Sequence, residues 1–421
     1  MKQRILTILF ACIFLPILSG CTPQGQETGR HSKRDTNVLI GSTSKALTSP
    51  TQVSMIKTGI YHTCALLNNG TVKCWGRNYR GQLGYGDTQD RDKPEATPID
   101  LGTGRTAKQL SLGSTHTCAL LDNDTVKCWG GNMFGQLGYG DTQNRHTPEA
   151  TPVDLGIGRT AKQIAAGIYS TCAVLDNDTV KCWGDNYNGQ LGYGDTQNRH
   201  TPGATSVIGG VKQISVGISH ACALMNNGTT KCWGSNNKGQ LGYGDTQSRH
   251  TPGPNIALGG TAQQISVGVM YTCALLDNGT VKCWGYGSHG QLGYGNTLNR
   301  DKPEATPVNL GAGRTAKQIS LWSRHTCAVL DNDTIKCWGY GYTGQLGYND
   351  QQTRNQPDTA SIDLGTGRTA TQLSIGNYFS CAVLDDGTAK CWGQNFRGQL
   401  GYGDTQDRYK PDQPIDINPP S

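Results

Sequence analysis

The chain has 421 residues, with 58 glycines, 16 cysteines and a charged fraction of only 16%. An apolar content of 35% is low for a helical core of this size, and a formal charge of +6 with no basic block offers nucleic acid no electrostatic footprint. Sixteen thiols point to metal or to disulfides in an oxidising compartment, and away from a reducing cytosol.

The N-terminus reads as an address. Lys2 and Arg4 precede a short apolar run, Ile5 to Leu18, which suits a secretory signal better than a spanning helix. Leu18-Ser19-Gly20-Cys21 resembles the bacterial lipoprotein box. That resemblance implies cleavage before Cys21 and lipid on its sulfur; a plain signal peptide with a chance cysteine is the alternative. Thr22, not Asp, follows the cysteine, which in a cell with two membranes favours the outer one. Residues 22–50 are rich in Thr, Ser, Gln and Gly and lack an apolar pattern, as in a flexible tether spanning about 30 Å on average. The expected order is therefore a signal peptide at 1–20, a lipidated tether at 21–50, a folded region at 51–416 and a tail at 417–421. The expected location is the cell envelope, outside the cytoplasm, with membrane contact only through the lipid.

From residue 51 onward one motif returns seven times. Its first cysteines are Cys64, Cys118, Cys172, Cys222, Cys273, Cys327 and Cys381, in steps of 54, 54, 50, 51, 54 and 54. Each copy continues with Lys-Cys-Trp-Gly and then Gly-Gln-Leu-Gly-Tyr. In the second copy, four short strands are expected at Lys108–Leu112, His116–Leu121, Thr125–Trp129 and Thr151–Leu155. Gly, Pro, Asn and Asp separate them, and no helical period appears. Four short strands per unit, seven times over, is the signature of an all-β, seven-bladed propeller of four-stranded antiparallel blades.

The hairpin between the second and third strands fixes its own register. Asn68-Asn69-Gly70 forms a three-residue loop, whose last residue needs a left-handed backbone. The seven copies place Gly70, Asp124, Asp178, Gly228, Gly279, Asp333 and Gly387 there. Counting outward, Cys64 and Cys74 form a non-hydrogen-bonded pair with Cα atoms about 4.5 Å apart, within reach of a disulfide. Seven cross-strand disulfides follow: Cys64–Cys74, Cys118–Cys128, Cys172–Cys182, Cys222–Cys232, Cys273–Cys283, Cys327–Cys337 and Cys381–Cys391. Zinc fits poorly, because no Cys-x-x-Cys occurs.

His116-Thr117-Cys118-Ala119-Leu120, followed by Trp129-Gly130-x-Asn132-x-x-Gly135-Gln136-Leu137-Gly138, resembles the repeat of the regulator of chromosome condensation family. The resemblance spans all seven copies and implies the seven-bladed propeller; the cysteine pair is an addition of this chain. The family's founding eukaryotic member promotes nucleotide exchange on a small nuclear GTPase, so exchange activity is one implied function. Bacterial members of the propeller class include a secreted inhibitor of β-lactamases, which implies protein binding.

Two loop sets vary between copies: those joining the first to the second strand, and those joining the third to the fourth. Both are expected on one face. Outside the leader and the repeat frame the chain has fourteen aromatics, and thirteen fall in or beside these loops. Tyr, Asn, Ser, Gly and occasional Arg is also the composition of a recognition surface. The candidate binding residues are Tyr61, Tyr79, Arg80, Phe134, Tyr169, Tyr187, Tyr286, His289, Trp322, Arg324, Tyr340, Tyr342, Tyr378, Phe396 and Arg397. Trp322 stands where the other six copies have Gly. Local packing of these rings over the blade ends is the plainer alternative.

Other signals have structural explanations. His62, His116, His220 and His325 share one frame position and suit interior hydrogen bonding better than metal. Asp122 and Asp124 fit turn chemistry better than calcium. Gly81-x-x-Gly84-x-Gly86 precedes no helix and is no nucleotide loop. No catalytic constellation stands apart from the repeat frame, and no cofactor or metal is expected. The expectation is a monomeric, non-enzymatic scaffold that binds a protein, or else a glycan, and no nucleic acid. A hydrolase or lyase with its site in the central funnel is the alternative.

Overall fold

The computed structural model describes residues 51–419. The expected signal peptide, Cys21 and the expected tether lie outside the described residues. Seven three-stranded antiparallel sheets follow one another along the chain. The first is β1 (Val53–Thr58), β2 (His62–Leu67) and β3 (Val72–Gly76); the second is β4 (Ala107–Leu112), β5 (His116–Leu121) and β6 (Val126–Gly130). The pattern runs on to β21 (Ala389–Gly393). Among the described residues no helix is long and apolar enough to cross a membrane.

The hairpins adopt the expected register. Cys64 pairs with Cys74, and the Leu67 amide donates to the Thr71 carbonyl at 2.9 Å. All seven loops place their last residue in the left-handed region, with φ of 79° at Gly70 and 64° at Asp124. Asp tolerates this seat better than most residues, while Gly fills it without steric cost. All seven disulfides form as paired above, each with Cα atoms 4.1 Å apart.

The expected fourth strand does not join the ladder. Each blade has three regular strands and an outer extended segment that touches the third strand sparsely. In the second blade, Val153 N–H donates to the Val126 carbonyl at 2.8 Å, and Gly130 bridges to Arg145. The repeat tyrosine takes that strand's place: the Tyr139 hydroxyl accepts from the Cys128 amide at 3.1 Å and reaches the Cys128 carbonyl at 3.3 Å.

The cores lie between blades rather than within them. Leu110, Leu112 and Trp129 of the second blade pack on Cys64, Leu66, Val72 and Cys74 of the first. The disulfides are thus walls of the seam cores. Trp129 is fully buried, and its indole N–H reaches the Gln82 carbonyl of the preceding blade at 3.0 Å. Gly84 explains itself here: its φ is +84°, and a Cβ would sit 2.7 Å from the Trp129 Nε1.

A side-chain ladder seals the innermost edge. The Gln109 amide donates to the Ile164 carbonyl and accepts from the Ile164 amide, both at 3.1 Å. A carboxamide thereby imitates a neighbouring strand on an edge that would otherwise stay open. Gln163, Gln213, Gln264 and Gln318 repeat this double bond with the next blade. The ring closes with the same parts. Ile56 N–H donates to Gln372 at 2.8 Å, and Lys73 Nζ holds the Ile417 carbonyl at 2.8 Å, as Lys127 holds Leu101 at 3.0 Å. Propeller contacts therefore reach Ile417.

Candidate interaction face

The two variable loop sets meet across blade seams and build three aromatic groups. Phe396 of the seventh blade meets Tyr61 of the first edge-on, with centroids 5.2 Å apart. Arg77 lies over the Tyr79 ring at 4.0 Å and over Tyr61 at 5.6 Å, and Arg80 flanks Tyr79 at 5.3 Å. Phe134 touches Tyr169 at 5.1 Å and Tyr187 at 6.3 Å. The third group runs over three blades: Tyr286 to His289 at 6.0 Å, His289 to Tyr340 at 5.4 Å, then Tyr340 to Tyr342 at 5.0 Å and to Tyr378 at 5.9 Å. Arg324 sits over both Tyr340 and Tyr378. The fourth blade presents Ser235, Asn236, Asn237 and Lys238 at the equivalent loop and leaves a polar gap in the arc. Its Lys238 ammonium still reaches the Tyr286 ring at 5.7 Å.

Each group is half-buried at its base and open at its tip. Tyr187, Tyr342, Phe396 and Tyr79 are 70%, 61%, 44% and 43% exposed, and Met133 beside them is 60% exposed. Edge-to-face contacts hold such rings in place before any partner arrives, which lowers the ordering cost of binding. Packing and display therefore coexist in the same side chains. The face is also cationic. Arg77, Arg80, Lys238 and Arg324 have no carboxylate partner within ion-pair distance among the described residues; Arg397 has a long one, Asp90 at 3.5 Å.

Three of the thirteen loop aromatics are not on this face. Tyr271 and Phe379 are fully buried, because they fill the seam position that His takes in other blades. The Tyr271 hydroxyl donates to the His325 carbonyl at 2.6 Å. Trp322, a candidate binding residue, is only 7% exposed. It belongs to one buried cluster with Ile168, against which Ile60, Tyr169 and Ile218 pack, and it lines the channel on the propeller axis.

The frame histidines are seam bolts. Nε2 of His62, His116 and His220 meets the hydroxyl of Thr117, Thr171 and Thr272 in the next blade at 3.0 Å each, and His325 meets Ser380 at 2.9 Å. Burial pushes all four down to about 3, so they are neutral imidazoles. Asp122 and Asp124 pair with Arg105 and Lys108, consistent with the turn role. No group of three metal-ligating side chains occurs among the described residues.

Seven repeated blades, each bolted to the one before it by the indole N–H of a buried tryptophan, define a repeat propeller. Residues 17–321 match the RCC1-like domain, and residues 337–383 and 370–399 match the regulator of chromosome condensation (RCC1) repeat. The chain belongs to the RCC1-like domain family. It is similar to the ultraviolet-B receptor UVR8 of Arabidopsis thaliana, at 31% identity over 86% of this chain and 70% of that protein. Among solved structures it resembles human WBSCR16 (20% identity, TM-score 0.70, 81% of this chain and 92% of that one). Yeast RCC1 (Prp20), solved bound to Kap60, aligns at 19% identity and TM-score 0.68 over 94% of this chain and 91% of that one. At these identities the structures speak for the fold.

Proposed function

We propose that this chain is a binding scaffold of the cell envelope, held to a membrane through Cys21, that captures another protein on its aromatic face. The observation that carries the reading is the set of preorganised ring groups whose tips, Tyr79, Tyr187, Tyr342 and Phe396, remain open to solvent. Tyr and Arg in such settings supply most of the energy of known interfaces. The surplus of unpaired Arg and Lys on that face favours a partner with an acidic surface. Yeast RCC1, solved bound to Kap60, is a precedent for protein binding by a protein with this fold.

The test is capture of envelope proteins by the full chain and by a Tyr79→Ala, Tyr187→Ala, Tyr342→Ala variant. Loss of a specific partner in the variant, with the melting temperature unchanged, is the expected result. Equal capture by both removes the face from consideration. Radiolabelled palmitate incorporation that disappears in Cys21→Ser tests the anchor separately.

A further inference from the structure

The turn that follows the repeat tyrosine breaks its pattern in one blade. In six blades an aspartate stands four residues before a frame arginine and takes both terminal guanidinium nitrogens. Asp87 holds Arg91 at 3.0 and 2.8 Å, and Asp245 holds Arg249 at 3.1 and 2.8 Å. The fifth blade has Asn296 there. Its carboxamide oxygen accepts from Arg300 Nη1 at 3.2 Å, but Nη2 has no partner among the described residues and keeps contact with solvent. Two residues later Leu298 stands exposed where the other six blades have glutamine.

This turn packs against the fourth blade, so closely that a Cβ on Gly239 would sit 2.3 Å from the Asp301 Cα. The seam leaves a groove of about 370 Å³, lined by Lys238, Arg300 and Lys302 together with Asp301 and Glu304. Glu304 accepts from Arg300 Nε at 2.7 Å, while Lys238 and Lys302 have no ion-pair partner among the described residues. The seam between the seventh and first blades is an internal control. Both turns contain Arg-Asp-Lys-Pro-Glu-Ala-Thr-Pro, at 91–98 and 300–307. At that other seam Asp87 neutralises Arg91, and Asp90 lies 3.5 Å from Arg397, the counterpart of Lys238. Asn296 and Asn299 replace those two aspartates. Asn299 keeps the neutral duty of its counterpart: it accepts the Gly287 amide at 3.0 Å, as Asp90 accepts the Asn78 amide at 2.7 Å. The hydrogen bond that shapes the turn is retained and the negative charge is gone. Arg91, Lys93 and Arg397 are thus set among four carboxylates, whereas Lys238, Arg300 and Lys302 are set among two.

We infer that the groove between the fourth and fifth blades is the docking site for an acidic segment of the protein partner. Its carboxylates meet Lys238, Arg300 and Lys302, and its apolar atoms meet Leu298. This rests on the reading of the chain as a protein-binding scaffold and gives that partner a place. The groove adjoins the polar gap in the aromatic arc, where the Lys238 ammonium reaches the Tyr286 ring at 5.7 Å. A partner's carboxylate restores the charge that Asp87 and Asp90 supply at the other seam, and hydrogen bonds between ionised groups are the strong ones.

Fluorescence anisotropy of a labelled hexaglutamate peptide, titrated with the full chain, tests the groove. Physiological ionic strength is used, where exposed charges more than about 8 Å apart are largely screened. Saturable binding to the parent chain is expected. Asn296→Asp with Asn299→Asp installs the residues that the first blade carries in the same run, so it keeps the fold; it should weaken binding about tenfold or more. Lys238→Asn installs the third blade's residue and should also weaken it. Arg77→Asn with Arg80→Asn removes two cations from the first blade and should leave the affinity within about twofold. Absence of saturable binding to the parent, unchanged affinity in the Asn296, Asn299 variant, or an equal loss in the Arg77, Arg80 variant overturns the inference. The scaffold reading has its own measurement, capture by the tyrosine variant, so a groove that fails here leaves the aromatic face standing.

Discussion

His62, His116, His220 and His325 have no exposed surface and stay neutral down to about pH 3 in the folded state. In the unfolded chain they titrate at about 6.5. Between these values the unfolded state takes up protons that the folded state refuses. Their contribution is therefore complete above about pH 6.5 and declines as pH falls toward 3, by about 1.4 kcal/mol per pH unit for each histidine. Denaturant midpoints should drop from pH 7 to pH 5, and His116→Tyr should remove about one proton from that slope. Blade five already shows that Tyr fits the seat, as Tyr271. An unchanged slope would show that the seam takes up the charge elsewhere. At this scale the sequence is most readable where geometry is local. The left-handed seats at Gly70 and Asp124 and the cysteine pairing needed only turn chemistry and a period of two. Tyr271 and Phe379 were misplaced by nearness in sequence alone. Their alignment with His62 and His116 was the signal that they point into a seam. Trp322 carried a signal only as an exception; its direction depends on Ile168, three blades away.

Strands show a different limit. Lys-Gln-Ile-Ser announces a strand, yet the work of its Gln is invisible because the acceptor lies 55 residues on, as for Gln109 and Ile164. Gln163→Met should remove both bonds to Ile214 and destabilise the chain by about 1–3 kcal/mol, since a partly buried edge then loses its partner. Denaturant unfolding measures this, and a change below about 0.5 kcal/mol would mean that water replaces the carboxamide. The missing fourth ladder has its own cause. Short outer segments read as strands by residue type, but a tyrosine hydroxyl, as at Tyr139, already occupies the Cys128 amide and carbonyl that a fourth strand would need.

The sevenfold count was legible from repetition alone, because a propeller needs one motif per blade. How the ring shuts was not, since closure couples Gln372, Lys73 and Ile417 across nearly the whole chain. Ending the chain at residue 416 removes the acceptor of Lys73 and should lower the melting temperature by several degrees. The effect should be larger than that of removing residues 419–421; equal effects would show that Ile417 contributes nothing to closure.

Among the described residues no strand is traded between the first and last blades, and the closing seam is made with the same kinds of contact as the internal ones. Where the polypeptide begins is then an accident of synthesis rather than a requirement of the architecture. The backbone could be joined end to end and reopened in an exposed turn between blades, such as Gly104-Arg105-Thr106, and the circle of blades would have the same parts with which to find itself.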